Sequence, residues 1–440
     1  MLRMLAALLA ALPSPPDTLP PHVVRQLPAV EVTAGRLNDL HSTETAQFVT
    51  AAALRDLPLD GLAGAVALQP GVVATGQDLH VRGGRAGELQ LALEGLPLND
   101  PLTGTAPELP LLAVRDADLL DGALAASHAG ALAGVLETRT WDAPSRWQGA
   151  ARWSGDGQRD GGSDWAGARL GGPVPRTALA LALAGEARLD NLGLPLTRSR
   201  GHTTILGRSF GWRADNHLLA WAKLAPRRNP GALSLQVFGG RVVEQPYDPM
   251  FTFDDSVRSY FPALPPIGGV TRADSTPPLD SVATRYRAAD HLAMTETRRL
   301  ALVAAGRRRA AGGELRAAFA WTRERVLQSV GLEPDPGYVT PANRIRFGGF
   351  SDPRASPFLA YAGDEPYFRR SLAERWQAQL AWRRPLARGQ ALDAGLGALV
   401  DAVQLFELDD GAPKVTGVDT LRAFSARAPG GWAFVQHHWE

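Results

Sequence analysis

The chain has 440 residues and a formal net charge of +1. This length allows two or three domains, and the near-zero charge gives no long-range field that would attract a nucleic acid. Cysteine is absent, which excludes a disulfide framework, zinc–thiolate sites and thiol catalysis.

Residues 1–20 are typical of a secretory signal peptide. Arg3 precedes the apolar run from Met4 to Leu12, and prolines follow that run. No clean small-x-small cleavage site follows, so a plain hydrophobic start is the alternative. Elsewhere no run reaches 18 apolar residues, so a chain that crosses a membrane must do so with strands.

Residues 41–140 predict a small α+β unit, preceded by a leader at 21–40. Thr50 and Asp60 are suited to cap two short helices, and Pro70 with Gly71 ends the second. The segments "GVVAT", "DLHVRG" and "ELQLALEG" then predict strands separated by glycine turns.

The stretch "DLHVRGGRAGELQLALEGLPLNDP", residues 78–101, resembles a nucleotide-binding loop in its glycine content. A phosphate-binding loop runs into a helix N-terminus, whereas here a strand follows. Gly83 and Gly84 turn the chain after "LHVR", and Gly95 and Pro97 turn it again after "LQLALE". The sequence therefore predicts a β-turn-β element.

From residue 141 to 440 apolar and polar residues alternate in segments of about ten residues, which predicts roughly ten antiparallel strands. In "SLAERWQAQLAW" one face carries Leu372, Trp376, Ala378, Leu380 and Trp382. This alternation is typical of a membrane β-barrel, with Trp376 and Trp382 at its interfacial girdles. A soluble antiparallel sheet with one wet face gives the same pattern. Long irregular stretches are expected near 226–293 and 327–368.

Three motifs of the first unit resemble the plug domain of the TonB-dependent outer-membrane receptors. They are "QPGVVA" at 69–74, "HVRGG" at 80–84 and "LQLALEGLPLNDP" at 89–101. The resemblance extends upstream to "LPAVEVTAGR" at 27–36 and downstream to 119–140 and 169–183. Two departures stand out: Glu94 replaces the usual Asp, and 119–127 lacks the family's arginine and proline.

The resemblance implies an α+β plug followed by antiparallel transmembrane β-barrel strands, in an outer-membrane receptor for energy-coupled uptake. It implies no catalytic residue and no cofactor. The implied plug-motif residues are Pro70, Gly71, Arg82, Gly83, Gly84, Glu94, Gly95, Pro97, Asn99 and Asp100. Arg82 and Glu94 would belong to the polar set that fixes the plug to the barrel wall; exposed hairpin ends are the alternative.

The implied partners are TonB with its inner-membrane energising complex, outer-membrane lipid and a scarce ligand. The implied TonB contact is the β-prone segment Val30, Glu31, Val32, Thr33 and Ala34, which would add to TonB as a strand. The first plug strand is its alternative. Asp254 and Asp255 are ligand-loop candidates, or simply a solvated acidic tip. The sequence does not distinguish a siderophore from cobalamin, an oligosaccharide or a peptide, and nucleic acid is not expected.

The family's barrel has 22 strands, which need far more than the 300 residues after position 140. About ten strands would not enclose a plug of about 100 residues. We therefore expect a truncated receptor with an incomplete barrel. Two other classes stay open: a periplasmic plug-bearing binding or assembly protein with a soluble β domain, and a secreted carbohydrate-active enzyme with paired carboxylates.

Overall fold

The structure is a computed structural model, and the parts of the chain that it describes are spread from residue 44 to residue 439. They are residues 44–49, 61–75, 78–85, 87–122, 124–128, 130–155, 163–190, 202–205, 208–211, 215–245, 291–340, 343, 346–347, 360–386, 390–409 and 420–439. The signal-peptide segment, the leader with Val30–Ala34, the helix expected after Thr50, and Asp254 with Asp255 lie outside the described residues.

The first unit is a mixed sheet, the plug sheet, with one short helix beside it. Its elements are β1 (Glu44–Val49), α1 (Leu62–Ala67), β2 (Val72–Thr75), β3 (Asp78–Val81), β4 (Leu89–Leu93), β5 (Leu96–Pro97), β6 (Val114–Gly122) and β7 (Gly134–Thr140). The plug sheet has the order β1-β6-β7-β4-β5, with β4 and β7 parallel, and β2 pairs with β3 separately. The predicted helix before Pro70 is confirmed, with Leu62 and Val66 buried on one side.

The second unit is an antiparallel sheet of ten strands, the wall sheet, with the order β21-β20-β19-β16-β15-β14-β13-β10-β9-β8. Its strands are β8 (Gln148–Gly155), β9 (Ser163–Pro173), β10 (Leu179–Asp190), β13 (Asp215–Pro226), β14 (Leu233–Glu244), β15 (Ala293–Ala310), β16 (Gly313–Val330), β19 (Tyr367–Pro385), β20 (Gln390–Asp409) and β21 (Thr420–Trp439). Two further antiparallel pairs of short strands come between wall strands in the sequence. They are β11 (His202–Ile205) with β12 (Arg208–Gly211), and β17 (Arg346–Phe347) with β18 (Ala360–Ala362). The predicted fold class is confirmed.

Two wall strands extend into stretches that the sequence predicts to be irregular. Strand β14 lies within 226–293, and β16 continues to Val330, inside 327–368. The physical reason is the same for both strands: successive side chains continue to alternate between the covered and the uncovered face of the sheet. In β14 the buried Ser234 and Gln236 alternate with the exposed Leu235 and Val237, so the residue on the covered face is polar.

The wall sheet carries polar side chains among apolar ones on its covered face, and apolar side chains on its uncovered face. On β19 the buried residues include Ser371 and Gln377, which face the plug sheet, whereas Trp376 is 49% exposed and Leu380 is exposed on the other face. The same outer face continues across the neighbouring strands. Its exposed apolar side chains include Leu170, Leu183, Leu235, Val237, Leu300, Leu396 and Val400. The alternation is thus the predicted one, and the apolar side is the uncovered side.

The plug sheet and the wall sheet share one core. Leu93, Leu96 and Leu119 are fully buried in the plug sheet, and the inward-facing Trp221 and Phe238 of the wall belong to the same cluster. Burial of such apolar area is the main favourable term in folding, so the two sheets stabilise each other. Among the described residues, no helix has the length and hydropathy needed to cross a membrane.

Candidate functional site

The turn after β3 is held by a bidentate ion pair inside the plug sheet. Arg82 adopts a left-handed backbone (φ 50°), followed by Gly83 (φ 79°). Its guanidinium donates two hydrogen bonds of 2.9 Å to the fully buried Asp121 of β6. Arg82 therefore pairs within the plug. Asp121 is its partner because β1 and β6 lie beside this turn, and a role of Arg82 in fixing the plug to the wall stays a prediction.

Three further motif residues fix the same turn. The Arg82 amide donates to the Gly71 carbonyl over 2.8 Å, and the Pro70 carbonyl accepts from Gln47 over 3.2 Å. A Cβ added at Gly84 would lie 2.6 Å from that of Ala133, so only glycine fits there without movement. The close approach explains the second glycine of "RGG".

The hairpin between β4 and β5 carries the contact to the wall. Glu94 (φ 54°) and Gly95 (φ 81°) both have positive φ, as a two-residue type I′ turn requires. The Glu94 carboxylate accepts a 2.9 Å hydrogen bond from Gln236 of β14, a fully buried wall residue. The side-chain oxygen of Gln236 also accepts two hydrogen bonds, one of 2.9 Å from Thr140 of the plug and one of 3.2 Å from Trp221 of the wall. Glu94 thus contacts the wall through Gln236.

The segment "PLNDP" after β5 is a self-bonded turn. The Asn99 carboxamide accepts from the Leu91 amide (2.8 Å) and donates to the carbonyls of Leu89 (2.9 Å) and Gly104 (2.7 Å). The Asp100 carboxylate accepts from the amides of Leu102 (2.9 Å) and Thr103 (2.7 Å). These residues hold the β4 edge in place, since Asn99 supplies the partners that a neighbouring strand would supply.

The wall contacts the backbone of this same turn. Gln377 of β19 donates to the Pro97 carbonyl over 2.5 Å, and Arg375 donates to the Asn99 carbonyl over 3.3 Å. Arg375 is itself held by a bidentate pair with Asp401 of β20, at 2.7 and 2.8 Å. The main-chain oxygens of this plug turn therefore accept hydrogen bonds from wall side chains, and one of these side chains, Arg375, is itself held in place by Asp401.

A chain of ion pairs joins the end of the plug sheet to the wall. Lys223 of β13, a buried side chain, donates to Asp142 (2.7 Å) and to Thr140 (3.2 Å). Arg139 pairs with Asp116 and Asp118 on the neighbouring plug strand. Lys223 shares its inward face with Leu219 and Trp221, as the sequence indicates, and its charge is matched because Asp142 lies opposite.

A cavity of about 460 Å³ lies between the plug sheet and the ends of the wall strands that lead into the long connections. Leu62 and Gly104 line it from the plug. Its charged lining consists of three arginines and four glutamates: Arg188, Arg299, Arg369, Glu108, Glu186, Glu244 and Glu324. These residues were not singled out from the sequence, because they come from separate strands and the plug.

Glu108 is a charged plug residue in this cavity, and it has several charged neighbours on the wall. Its carboxylate lies 2.8 Å from His217 Nδ1 and 3.9 Å from Arg188. Burial acts to raise the pKa of Glu108, but the hydrogen bond from His217 and the charges of His217, Arg188 and Arg299 outweigh it, so the pKa is lowered. Glu108 therefore faces the wall as an anion.

A mixed plug sheet packed on the polar inner face of an antiparallel wall is the fold of TonB-dependent receptors. Solved structures with this fold match the chain. The ferric enterobactin receptor PfeA of Pseudomonas aeruginosa, solved as a single-residue mutant, is 15% identical with a TM-score of 0.52, covering 89% of this chain and 54% of that one. No protein-family model matches the sequence, and no curated protein matches it.

Two other receptors of Pseudomonas aeruginosa match in the same way. The siderophore receptor PirA is 14% identical with a TM-score of 0.52, covering 89% of this chain and 52% of that one. The receptor FpvA, solved with a bound pyoverdine and iron, is 11% identical with a TM-score of 0.53, covering 91% of this chain and 50% of that one. The chain spans about half the length of these receptors, and at such identities the likeness is one of fold.

Proposed function

We propose that this chain is the plug and part of the barrel of a TonB-dependent outer-membrane receptor that takes up a scarce ligand. The observation that supports it most is the apolar uncovered face of the wall sheet. An apolar outer face costs free energy in water but is stabilising against lipid, and the polar inner face is satisfied by the plug. A soluble periplasmic binding protein would cover this face.

The lengths of the connections support an orientation. The wall strands are joined at one end by connections of two to six residues, at 174–178, 227–232, 311–312 and 386–389, and at the other end by longer ones. Outer-membrane barrels have short periplasmic turns and longer extracellular loops. The cavity with Glu108 and Arg188 then faces the outside of the cell, where a ligand would be captured.

A ferric siderophore is our first candidate ligand. The support is the likeness to PfeA, PirA and FpvA, which are receptors of this kind. The cavity lining carries both signs of charge, so it can contact both the acidic and the basic groups of such a chelate. Cobalamin and oligosaccharides are the comparison ligands in a binding assay with the purified chain.

Energy coupling is proposed to pass through Val30–Ala34. An extended segment adds to a partner sheet with main-chain hydrogen bonds, so it needs no particular side chain. A pull-down with the periplasmic domain of TonB tests this: binding should be lost when 28–35 is deleted. Binding that survives the deletion would refute the segment and leave the membrane assignment untouched.

Membrane insertion is tested on the outer face of β19. In lipid, Leu380→Arg should cost about 2–4 kcal/mol near the bilayer midplane, whereas on a water-exposed sheet it should stay within about 0.5 kcal/mol. The measurement is recovery of the chain in the outer-membrane fraction as a heat-modifiable band. Full recovery of the variant, or wild-type chain in the soluble periplasm, would contradict the proposal.

A further inference from the structure

One cluster of metal-ligating side chains lies at the rim of the wall sheet, where β13 begins and β14 ends. Asp215, His217 and Glu244 each offer one ligand atom, and these three atoms lie within 4.8 Å of one another. His217 Nε2 is 2.5 Å from Asp215 Oδ1 and 3.9 Å from Glu244 Oε1. The register places Asp215 opposite Glu244, and His217 lies two residues further along the same strand and on the same face, so the strand pairing brings the three side chains together.

The orientation of the imidazole is fixed from the plug. His217 is 1% exposed, and its Nδ1 lies 2.8 Å from the Glu108 carboxylate, which can accept the Nδ1 proton. A carboxylate on one ring nitrogen leaves the lone pair of the other for an ion, which is the usual arrangement around metal-bound histidines. Nε2 is therefore the available ligand, and it points at Asp215.

Nε2 and Asp215 together define one position for a cation. The charged imidazole donates from Nε2 to the Asp215 oxygen over 2.5 Å, and a metal ion would take the place of that proton. The Arg188 guanidinium lies beside this pair, 2.7 Å from Nε2 and 3.9 Å from Asp215. Arg188 and His217 thus face three carboxylates: Asp215, Glu244 and Glu108.

We propose that Asp215, His217 and Glu244 bind a divalent cation of the Zn²⁺ class, with Arg188 as the group that it displaces. One imidazole nitrogen and two carboxylate oxygens suit Zn²⁺, whereas Ca²⁺ and Mg²⁺ take oxygen ligands only, and more of them. Two positive charges balance the three carboxylates and Arg188. The site goes beyond the proposed uptake function and does not depend on it.

The geometry requires two adjustments of the ligands. Ligand atoms about 2.0–2.2 Å from a Zn²⁺ ion lie roughly 3.5 Å apart in a tetrahedral site. His217 Nε2 and Asp215 Oδ1, at 2.5 Å, must separate by about 1 Å, and Glu244, at 3.9 Å from Nε2, must approach by part of an ångström. Its side chain is 43% exposed and can do so. The bound ion would join the wall rim to Glu108 through His217, because Nδ1 stays hydrogen-bonded to the plug.

Zn²⁺ titration of the purified full chain in detergent, followed by calorimetry, tests the site. We expect one equivalent per chain, at least 10-fold weaker binding in His217→Gln and Glu244→Gln, and tighter binding in Arg188→Gln because the competing guanidinium is gone. His291→Gln is the matched control, since His291 pairs with Asp364 at 2.7 Å but is in no such cluster among the described residues. Wild-type affinity in Glu244→Gln, the half-exposed position least needed for folding, would overturn the proposal, as would weaker binding in Arg188→Gln.

Discussion

The buried carboxamide of Asn99 should determine the stability of the plug hairpin. Asn99 is 6% exposed and makes three hydrogen bonds to main-chain groups of 89–104. Asn99→Ala leaves the Leu91 amide and two carbonyls without these partners. An unsatisfied buried polar group costs about 1–3 kcal/mol, so we expect a loss of about 2–4 kcal/mol in local stability.

Asn99→Asp separates hydrogen bonding from shape, because the side chain is nearly identical in size. One oxygen can still accept from Leu91, but the other would face the carbonyl oxygens of Leu89 and Gly104 at distances now near 2.9 and 2.7 Å. We therefore expect the Asp variant to be at least as unstable as the Ala variant at pH 7. Acid should reduce its defect, since a protonated carboxyl regains one donor.

The assay is hydrogen exchange by mass spectrometry on the peptide that contains Leu91. A loss of about 3 kcal/mol corresponds to exchange faster by about two orders of magnitude when local opening governs it. Asn343→Ala, at an exposed position, is the control and should leave this peptide unchanged. Unchanged protection in Asn99→Ala, or an Asp variant more stable than the Ala variant at pH 7, would refute the reasoning.

Three further predictions concern the plug and its attachment. Lys223→Met removes the 2.7 Å partner of Asp142, which keeps only the more exposed Arg115. Exchange in 134–142 should therefore accelerate by about tenfold (~1.4 kcal/mol), and unchanged exchange would contradict this. Gly87 has a φ of 84°, and the Cβ that Gly87→Ala adds would lie 3.2 Å from the Gly104 backbone. The melting temperature should therefore fall by several degrees, and an unaltered melting temperature would be inconsistent with this contact. Glu108→Gln tests the lowered pKa of the Glu108 carboxyl group. The ionised carboxylate stabilises the fold at pH values above its ordinary pKa, and this stabilisation is lost as pH falls through the lowered pKa. Wild type should thus exceed this variant in thermal stability at pH 7 and converge with it as pH falls below the ordinary carboxyl range, and a constant difference across pH would rule this out.

The contacts of Arg82 and Glu94 differ, since Arg82 pairs within the plug and Glu94 contacts the wall. Both are turn residues whose position along the chain follows from the glycines beside them. Their partners, Asp121 and Gln236, are separated from them by 39 and 142 residues. Local turn chemistry says nothing of what a distant strand brings to the same place.

Alternation, helix caps and turn residues, all local properties, were enough to predict the ten-stranded sheet, the β-turn-β element and the small α+β unit. They could not decide which face of the wall is covered, because a soluble sheet and a barrel alternate with the same period. Packing of the plug decided that, by covering the polar face. It also assembled Glu108, Arg188 and His217, since residues from three separated segments meet only when the sheet and the plug are folded together.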